Sequence, residues 1–213
     1  MPDMIRILVA DDHSVVREGI KQILAGQEGL VVEDEAGSGQ EVLSRLAEKT
    51  YDLILLDISM PGRSGLEILE EIKVMQPKLP VLILSMHPEE QYAVRMLRAG
   101  ASGYLTKASA PQELISAIQK VSRGGKYVTA SLAEKLAFEL DARAEKPLHE
   151  RLSNREYQVM LMLAAGQSVS EVAEALCLSA KTISTYRARI LEKMDMKKNA
   201  ELTLYAVKNN LIL

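Results

Sequence analysis

The fold of the chain is decided by one stretch: Tyr51-Asp52-Leu53-Ile54-Leu55-Leu56-Asp57-Ile58-Ser59-Met60-Pro61-Gly62. A short apolar run that ends in a carboxylate and is followed by Pro-Gly is typical of a buried parallel strand that runs into a turn. Such a strand would place Asp57 at the rim of a sheet. The remaining residues are therefore interpreted by what they would add around Asp57.

The first 124 residues repeat the same strand-helix pattern five times. Each apolar run is followed by a segment with helical spacing, and several of these segments begin with a capping sequence such as Ser64-Gly65-Leu66-Glu67. Strict alternation of this kind predicts an α/β domain with a parallel sheet, helices on both faces and a site at the carboxyl ends of the strands. The predicted strands span 5–10, 30–36, 53–57, 80–85 and 103–106.

Charge is distributed unevenly along the 213 residues, which favours two domains. Lys and Arg against Asp and Glu number 13 against 18 in residues 1–124 and 9 against 7 in residues 149–213. Residues 179–198 hold six basic and two acidic side chains, a local excess of four positive charges that the net charge of −3 conceals. The basic surface is therefore expected in the second domain.

No part of the sequence indicates export or membrane insertion. The single cysteine, Cys177, excludes an internal disulfide. No apolar run approaches the roughly 20 residues of a membrane span, and the chain starts directly with a strand pattern instead of a signal peptide. We expect a cytoplasmic protein with no membrane partner.

Polar residues follow the predicted strands at the ends where the strands stop. Because the carboxyl ends of parallel strands meet at one edge, these side chains are expected to lie together. Carboxylates gathered in one crevice repel each other unless a cation lies among them, and Mg²⁺ takes one or two carboxylates, waters and a phosphate. A lysine would add a fixed positive charge, and a serine hydroxyl would donate to a phosphoryl oxygen. The set, Asp11, Asp12, Asp57, Ser85 and Lys107, predicts phosphoryl transfer to Asp57.

Simpler roles exist for single members of this set and for their neighbours. Asp11 or Asp12 could cap the first helix, although five such coincidences at one rim favour a site. His13 is interpreted as an exposed helix-entry residue, and Tyr104 as either strand packing or part of the site.

Together with Tyr104 and the D-x-x-M-P-G context of Asp57, this set resembles the receiver domain of bacterial response regulators over residues 5–124. The resemblance implies a flavodoxin-like, doubly wound (βα)5 domain with strand order 2-1-3-4-5. It also implies that Asp57 takes its phosphoryl group from a phosphohistidine of a sensor histidine kinase.

The same resemblance implies a role for each residue of the pocket. Ser85 would move toward the phosphoryl oxygens and Tyr104 would rotate inward, which would alter the face around the fourth helix and fifth strand. Lys107 would contact the phosphoryl group. Mg²⁺ would be held by Asp12, Asp57 and the backbone carbonyl of Ser59, with Asp11 supporting them.

Residues 125–150 are predicted to form a linker that contains a helix from Ser131 to about Ala142. Residues 151–213 then carry further capping boxes, and the spacing of Ala173, Cys177 and Ile183 matches a helix-turn-helix. Glycine is common where Cys177 stands. We interpret Cys177 as a small, partly buried turn residue and not as a redox sensor, because nothing near it in sequence would activate a thiol.

The second helix of this motif has one apolar and one polar face. Ile183, Ile190 and Met194 share a stripe that would be buried. The opposite face carries short polar side chains and cations, which suit a helix lying in the major groove of DNA. Candidate base contacts are Lys181, Thr182, Ser184, Thr185, Ala188 and Arg189, and candidate phosphate contacts are Arg187, Lys193, Lys197 and Lys198.

Residues 152–212 resemble the LuxR-type helix-turn-helix, an all-α domain of four helices. The matching motifs are Leu152-Ser153-x-Arg155-Glu156, Ala165-Gly166, Glu171-Val172-Ala173, Leu178-Ser179-x-Lys181-Thr182-Ile183, Arg189-Ile190 and Glu201-Leu202. A receiver followed by this module is the arrangement of the NarL/FixJ family, and residues 183–187 look most like its GacA-type and BvgA-type members. Many relatives carry lysine where this chain has Ser184.

The family resemblance implies a homodimer, enhanced by phosphorylation, on double-stranded promoter DNA with an inverted-repeat site. RNA polymerase is a further candidate partner. In the family the last helix pairs two DNA-binding domains, which makes Leu204 and Val207 candidates for dimerisation, although Leu204 is also expected to be buried within the monomer.

Two alternative functions fit the sequence less well. A phosphatase of the haloacid dehalogenase type would use Asp57 as a covalent nucleophile, but it needs a general-acid aspartate two residues later, where this chain has Ser59. A protein that only masks a partner would not need the acidic pocket. We therefore expect a non-enzymatic phosphoacceptor with at most slow, Mg²⁺-dependent self-dephosphorylation.

Overall fold

A computed structural model describes residues 4–60, 62–141 and 147–212. Pro61 and the predicted end of the linker helix at Ala142 lie outside the described residues. The chain divides into two compact units, Met1–Leu136 and Ala137–Leu213. This boundary falls inside the predicted linker, so the predicted domain limits at residues 124 and 151 stay predictions.

The first unit alternates strands and helices as the sequence predicts. Its five βα pairs are β1 Ile5–Ala10 and α1 Ser14–Ala25, β2 Leu30–Ala36 and α2 Gly39–Glu48, β3 Leu53–Asp57 and α3 Gly65–Met75, β4 Val81–Ser85 and α4 Glu89–Arg98, and β5 Gly103–Thr106 and α5 Pro111–Ser122. Helix α6, Ala130–Asp141, follows.

The five strands form one parallel sheet in the order β2-β1-β3-β4-β5, which confirms the predicted fold. Strands β3 and β4 are buried along their whole length, as expected where helices cover both faces. Alternate strand residues such as Val9 and Leu55 share one core cluster with α1 and α5, while Leu8 and Leu56 are buried on the other face. The carboxyl ends of β1, β3, β4 and β5 therefore meet at one edge.

The turn after β3 is held by a close backbone approach. A Cβ atom on Gly65 would lie 2.3 Å from the Ile58 Cα atom, so only glycine fits there. Gly62 has a φ of +90°, the left-handed region that glycine adopts without strain. Ser64 closes the turn with the predicted capping box at the start of α3. These residues fix the loop that carries Asp57 and Ser59.

Helix α6 begins at Ala130, one residue earlier than the sequence predicts. Thr129 Oγ accepts a hydrogen bond from the Leu132 amide at 3.2 Å, and the Thr129 carbonyl accepts one from the Ala133 amide at 3.0 Å. Thr129 is therefore the N-cap residue, and the predicted start at Ser131 is wrong by one residue, because the Thr129 hydroxyl supplies the cap.

The second unit is entirely helical. A 3-10 helix, Leu148–Arg151, precedes α7 Asn154–Ala164, α8 Val169–Ala175, α9 Ala180–Lys193 and α10 Asn199–Lys208. The capping boxes predicted at Ser153 and Ser168 are both present. Helices α8 and α9 are the two helices of the predicted helix-turn-helix, and Ile183, Ile190 and Met194 are buried as their spacing indicates.

All of these helices are short. The longest helix among the described residues, α9, has 14 residues, whereas a membrane-spanning helix needs about 20. Within residues 4–60, 62–141 and 147–212, no helix is long and apolar enough to cross a membrane.

Candidate functional site

Four side chains that could hold a cation meet at the carboxyl edge of the sheet. Asp57 ends β3, and Asp11, Asp12 and His13 follow β1. One ligand atom from each lies within 4.8 Å of the others. Asp11 and Asp57 are each only 1% exposed, whereas Asp12 and His13 are open to solvent. The structure thus brings together the three predicted carboxylates.

Lys107, which follows β5, joins the two buried carboxylates. Its Nζ lies 2.7 Å from Asp57 Oδ2 and 2.6 Å from Asp11 Oδ2. Burial alone would lower the pKa of Lys107, but its contacts with Asp11 and Asp57 raise that pKa overall. Lys107 is therefore a permanent positive charge beside Asp57.

Asp57 is a carboxylate that the fold removes from solvent. Burial raises its pKa above the ordinary value, although the hydrogen bond from Lys107 and another from the Ser59 amide to Oδ1, at 2.9 Å, oppose the rise. A cation bound in this pocket in addition to Lys107 would favour the ionised form of Asp57 further. The carboxylate is desolvated but remains oriented by two donors.

The pocket residues fit a hard divalent cation such as Mg²⁺. All the predicted side-chain ligands are carboxylate oxygens, which Mg²⁺ prefers. Asp11 Oδ2 is buried and, although Lys107 is ion-paired with it, receives no hydrogen bond of acceptable geometry from the described residues. That oxygen retains a lone pair for a metal or for a water bound to the metal. The Ser59 carbonyl, two residues after Asp57 in the loop that follows β3, remains a predicted ligand.

Ser85, Tyr104 and the intervening loop form a linked group next to the pocket. Ser85, fully buried at the end of β4, accepts a hydrogen bond from the His87 amide at 3.0 Å. The hydroxyl of Tyr104 donates to the His87 carbonyl at 2.9 Å, and its ring is buried. Tyr104 therefore already points inward in this structure. Burial lowers the pKa of His87, and the charge of Asp57 offsets this in part.

His13 contributes more than sequence reasoning assigned to it. It is exposed, as predicted, and it occupies the N-cap position of α1 without making a side-chain cap. Its Nδ1 atom lies 2.9 Å from Asp12 Oδ1, so the imidazole is a neighbour of the acidic group. Asp11 accepts a hydrogen bond from the His13 amide at 2.9 Å, but His13 itself is the N-cap residue of α1, so neither Asp11 nor Asp12 takes the capping role considered for them. Adjacency in sequence was the only signal for His13.

In the second unit, α9 presents the predicted polar face. Lys181, Ser184, Thr185, Ala188 and Arg189 are exposed along it. Its N-cap, Ser179, lies 2.8 Å from the hydroxyl of Thr182, so Thr182 is partly engaged in capping. Lys197 and Lys198, in the loop after α9, are also exposed. The arrangement could present small polar groups and cations to the major groove.

Two of the predicted phosphate contacts also have partners inside the domain. Arg187 Nε donates to Asn199 Oδ1 at 2.7 Å. Lys193 Nζ lies 2.7 Å from Glu156 Oε2, and Glu156 is almost completely buried. Sequence reasoning missed both ties, because they join residues on different helices. Their roles in contacting phosphates stay predictions.

Cys177 is a turn residue, but it is exposed and not partly buried as expected. Its φ is +52°, and the amides of Cys177 and Leu178 donate to the carbonyls of Glu174 and Ala173. These paired bonds are the Schellman ending of a helix, in which the residue in the left-handed conformation points outward. Glycine is common at this position because it adopts the left-handed conformation without strain.

The last helix leaves two apolar side chains in solvent. Leu204 is 70% exposed and Val207 is 49% exposed. The expectation that Leu204 is buried within the monomer is therefore wrong, because Leu202 and Ala206 take the inward-facing positions of α10. Residues three apart on a helix share a face, so Leu204 and Val207 form one small apolar patch.

Both halves of the chain match family models. Residues 7–119 match the response regulator receiver domain, and residues 150–206 match the bacterial regulatory proteins of the LuxR family. A receiver domain followed by a LuxR-type helix-turn-helix defines a two-component response regulator of the DNA-binding, transcription-regulating class. The chain belongs to the NarL/FixJ family of these response regulators.

Curated relatives cover the whole chain. The response regulator GacA of Pseudomonas protegens is 39% identical over 209 residues, which is 98% of each chain. The response regulator UvrY of Escherichia coli is 37% identical over 209 residues, 98% of this chain and 96% of that one.

Solved structures agree with the fold. RcsB of Salmonella typhimurium has a TM-score of 0.70 at 25% identity, covering 99% of this chain and 100% of that one. RcsB bound to promoter rprA in the presence of the phosphomimetic BeF3⁻ has a TM-score of 0.67 at 26% identity, covering 95% and 98% of the two chains.

Proposed function

We propose that this response regulator accepts a phosphoryl group on Asp57 from a sensor histidine kinase and, as a dimer, binds promoter DNA sequence-specifically to regulate transcription. The observation that carries the proposal is the buried Asp57 carboxylate, which lies 2.7 Å from Lys107 and within a cluster of two further carboxylates. The same chain carries a helix-turn-helix with a polar, basic outer face. Because its target is bacterial DNA, we expect the protein to act in the cytoplasm.

In the proposed transfer, a carboxylate oxygen of Asp57 attacks the phosphorus of a phosphohistidine. The P–N bond breaks, the kinase histidine leaves, and an acyl phosphate forms on Asp57. Lys107 places a positive charge beside the phosphoryl oxygens, which carry the negative charge during the transfer. Ser85 supplies a hydroxyl for one of these oxygens. Mg²⁺ would be held by Asp12, Asp57 and the Ser59 carbonyl with support from Asp11, and when bound it would shield the phosphoryl charge from the attacking carboxylate.

The product is proposed to be stored and not turned over. Ser59 stands where a phosphatase would carry a general-acid aspartate, so only slow, Mg²⁺-dependent self-dephosphorylation is expected. The protein is then a switch and not an enzyme.

DNA binding by this chain is supported by its likeness to RcsB, whose structures include a DNA complex and dimers bound to DNA. A dimer with twofold symmetry would bind two half-sites arranged as an inverted repeat. Dimerisation enhanced by phosphorylation would then link the pocket to the promoter, with RNA polymerase as a further candidate partner.

Phosphoryl acceptance is tested by incubating the full chain with a radiolabelled acyl phosphate and Mg²⁺. The native chain should become labelled in an acid-stable, hydroxylamine-labile manner, while Asp57→Asn should not. Asp52→Asn is the matched control, because Asp52 is an exposed carboxylate just before the other end of β3, where it pairs with Arg6. Equal labelling of Asp57→Asn and the native chain would exclude Asp57 as the acceptor.

DNA binding is tested by measuring affinity for genomic fragments over a range of salt concentrations. Arg189→Ala should cost about 1–3 kcal/mol on specific sites and relax the sequence preference. Lys198→Ala should weaken binding to all sequences and reduce the salt slope by about one, whereas Lys208→Ala, on the exposed surface of α10, should do neither. Failure to retard any fragment would contradict the proposal.

A further inference from the structure

The first turn of α6 is tied to the first residue of α4 by a side-chain hydrogen bond. Thr129 Oγ1 donates to Glu89 Oε2 at 2.7 Å. The same oxygen accepts from the Leu132 amide, and the Thr129 carbonyl accepts from the Ala133 amide. Thr129 is therefore both the cap of the linker helix and its contact with α4, so moving Glu89 would disturb the helix start.

The position of Glu89 combines a favourable and an unfavourable interaction. Its carboxylate lies at the start of α4 and against the start of α6, where the partial positive charges of two helix N-termini favour it. Its other oxygen, Oε1, is buried and receives no hydrogen bond from any described residue. A buried charged acceptor without a donor is unfavourable. This unsatisfied oxygen therefore lowers the free energy needed to open the contact.

The backbone of residues 86–88, held by two hydrogen bonds at His87, connects Glu89 to the strand ends beside the phosphoacceptor pocket. Residues 86–88 lead from Ser85 to Glu89, and the middle residue, His87, is held at both ends of its backbone. Its amide donates to Ser85 Oγ at 3.0 Å, and its carbonyl accepts from the Tyr104 hydroxyl at 2.9 Å. If Ser85 turns to donate to a phosphoryl group on Asp57, its oxygen moves away from the His87 amide and the loop must shift.

We propose that the contact between Glu89 and Thr129 is a latch that is closed while Ser85 Oγ accepts from the His87 amide, as it does in this structure, and that opens when Ser85 turns toward a phosphoryl group on Asp57. Opening frees the first turn of α6, a helix that continues to Asp141 and into the second unit. The latch rests on the proposed function and adds to it a route by which the pocket acts on the linker.

The amides of Leu132 and Ala133 report the state of the latch directly, because Thr129 accepts both. Their hydrogen exchange is measured by NMR in the full chain with Mg²⁺, with and without beryllium fluoride as the phosphoryl analogue. In the native chain, exchange at both amides should become roughly tenfold faster on adding beryllium fluoride, as expected for losing a hydrogen bond to a charged group. In Glu89→Ala it should be fast from the start and should not change further.

The matched control is Glu113→Ala. Glu113 Oε1 accepts a hydrogen bond from the Tyr127 hydroxyl at 3.0 Å, so this variant also removes a carboxylate–hydroxyl tie to the segment before α6, but not one that is attached to the loop at residues 86–88. It should behave as the native chain does. Thr129→Ser, which keeps the hydroxyl, should also retain the response, whereas Thr129→Val should lose it.

DNA affinity gives the second readout. Glu89→Ala should bind DNA without beryllium fluoride nearly as tightly as the native chain does with it, so the ratio of the two dissociation constants should fall to within about twofold of one. Unchanged or slower exchange at Leu132 and Ala133 in the native chain would overturn the latch, as would a native ratio in Glu89→Ala. Labelling of Asp57 and DNA retardation test the proposed function separately, and both can succeed while the latch fails.

Discussion

At the scale of single residues, Cys177 shows a backbone conformation that its side chain does not favour. Its φ of +52° costs a residue with a Cβ atom about 1–2 kcal/mol relative to glycine. Glycine gives back part of this through its larger entropy when unfolded. Cys177→Gly should therefore stabilise the second unit by about 0.5–1 kcal/mol, and calorimetry should show its unfolding midpoint rising by a few degrees.

Cys177→Ala is the control for this change. It removes the thiol but keeps the Cβ atom, so its stability should match that of the native chain. Because the side chain is exposed, no packing is lost in either variant. Equal stabilisation by alanine and glycine would mean that the thiol, and not the backbone conformation, limits stability at this turn.

The sequence predicted which side chains lie together at the edge of the sheet, because strand ends impose their positions; their roles stay predictions. Once Asp57 ends a buried parallel strand, a neighbouring strand of the same sheet must bring Asp11 to the same edge.

The exposure of Leu204 was not predicted from the sequence. Helical spacing alone leaves open which of two apolar stripes on α10 faces inward, and Leu202 and Ala206 take that place.

At the scale of elements, Glu156 joins α7 to the end of α9. Its Oε2 accepts from the Ser153 amide at 2.8 Å and from Lys193 Nζ at 2.7 Å. Burial raises the pKa of Glu156, but the bonds from Lys193 and Ser153 more than offset this and leave the pKa below its ordinary value of 4.5. The ionised form therefore stabilises the fold above that value, and the stabilisation is lost as pH falls through the lowered pKa.

Glu156→Gln should remove this dependence on pH. Glutamine still completes the capping box but carries no charge for Lys193. At pH 7 the variant should be less stable by about 1–2 kcal/mol, a modest cost because Lys193 is partly exposed. Urea unfolding followed between pH 7 and pH 3 should show the stability of the native second unit falling toward that of the variant.

A parallel pH series on Glu171→Gln provides the comparison. Glu171 completes the same kind of capping box on α8, but it is exposed and the described residues offer it no lysine. Its effect on stability should be smaller throughout. If the gap between the native chain and Glu156→Gln stays constant down to pH 3, the ion pair does not stabilise the domain.

Sequence reasoning predicted the elements more completely than the ties between them. Capping boxes and apolar periods are local, so the starts of α3, α7 and α8 were predicted correctly. The pair of Glu156 and Lys193 spans 37 residues, and the capping role already accounted for the glutamate. Which residues of two helices come into contact depends on how the helices pack together, and local sequence patterns do not contain that information.

At the scale of the whole molecule, the exposed patch of Leu204 and Val207 takes no part in packing α10 against its own unit. Apolar side chains on the surface are common singly, but here two share one face of α10, the helix that follows α9. Burial of such a patch between two copies would place two α9 helices at a fixed separation, as an inverted repeat requires. The patch is small, so the proposed dimer should be weak without phosphorylation or DNA.

Leu204→Asp should therefore weaken dimerisation without unfolding the chain, because the side chain lies in solvent. Sedimentation velocity with Mg²⁺ and beryllium fluoride should show the dimer fraction falling, and binding to a two-half-site DNA should lose roughly tenfold or more while single half-site binding is kept. Val74→Asp is the matched control, since Val74 is 83% exposed on α3 and lies outside the patch. A Leu204→Asp protein that still binds the double site cooperatively would show that α10 is not the dimer contact, and the pairing surface would then have to lie elsewhere on the chain.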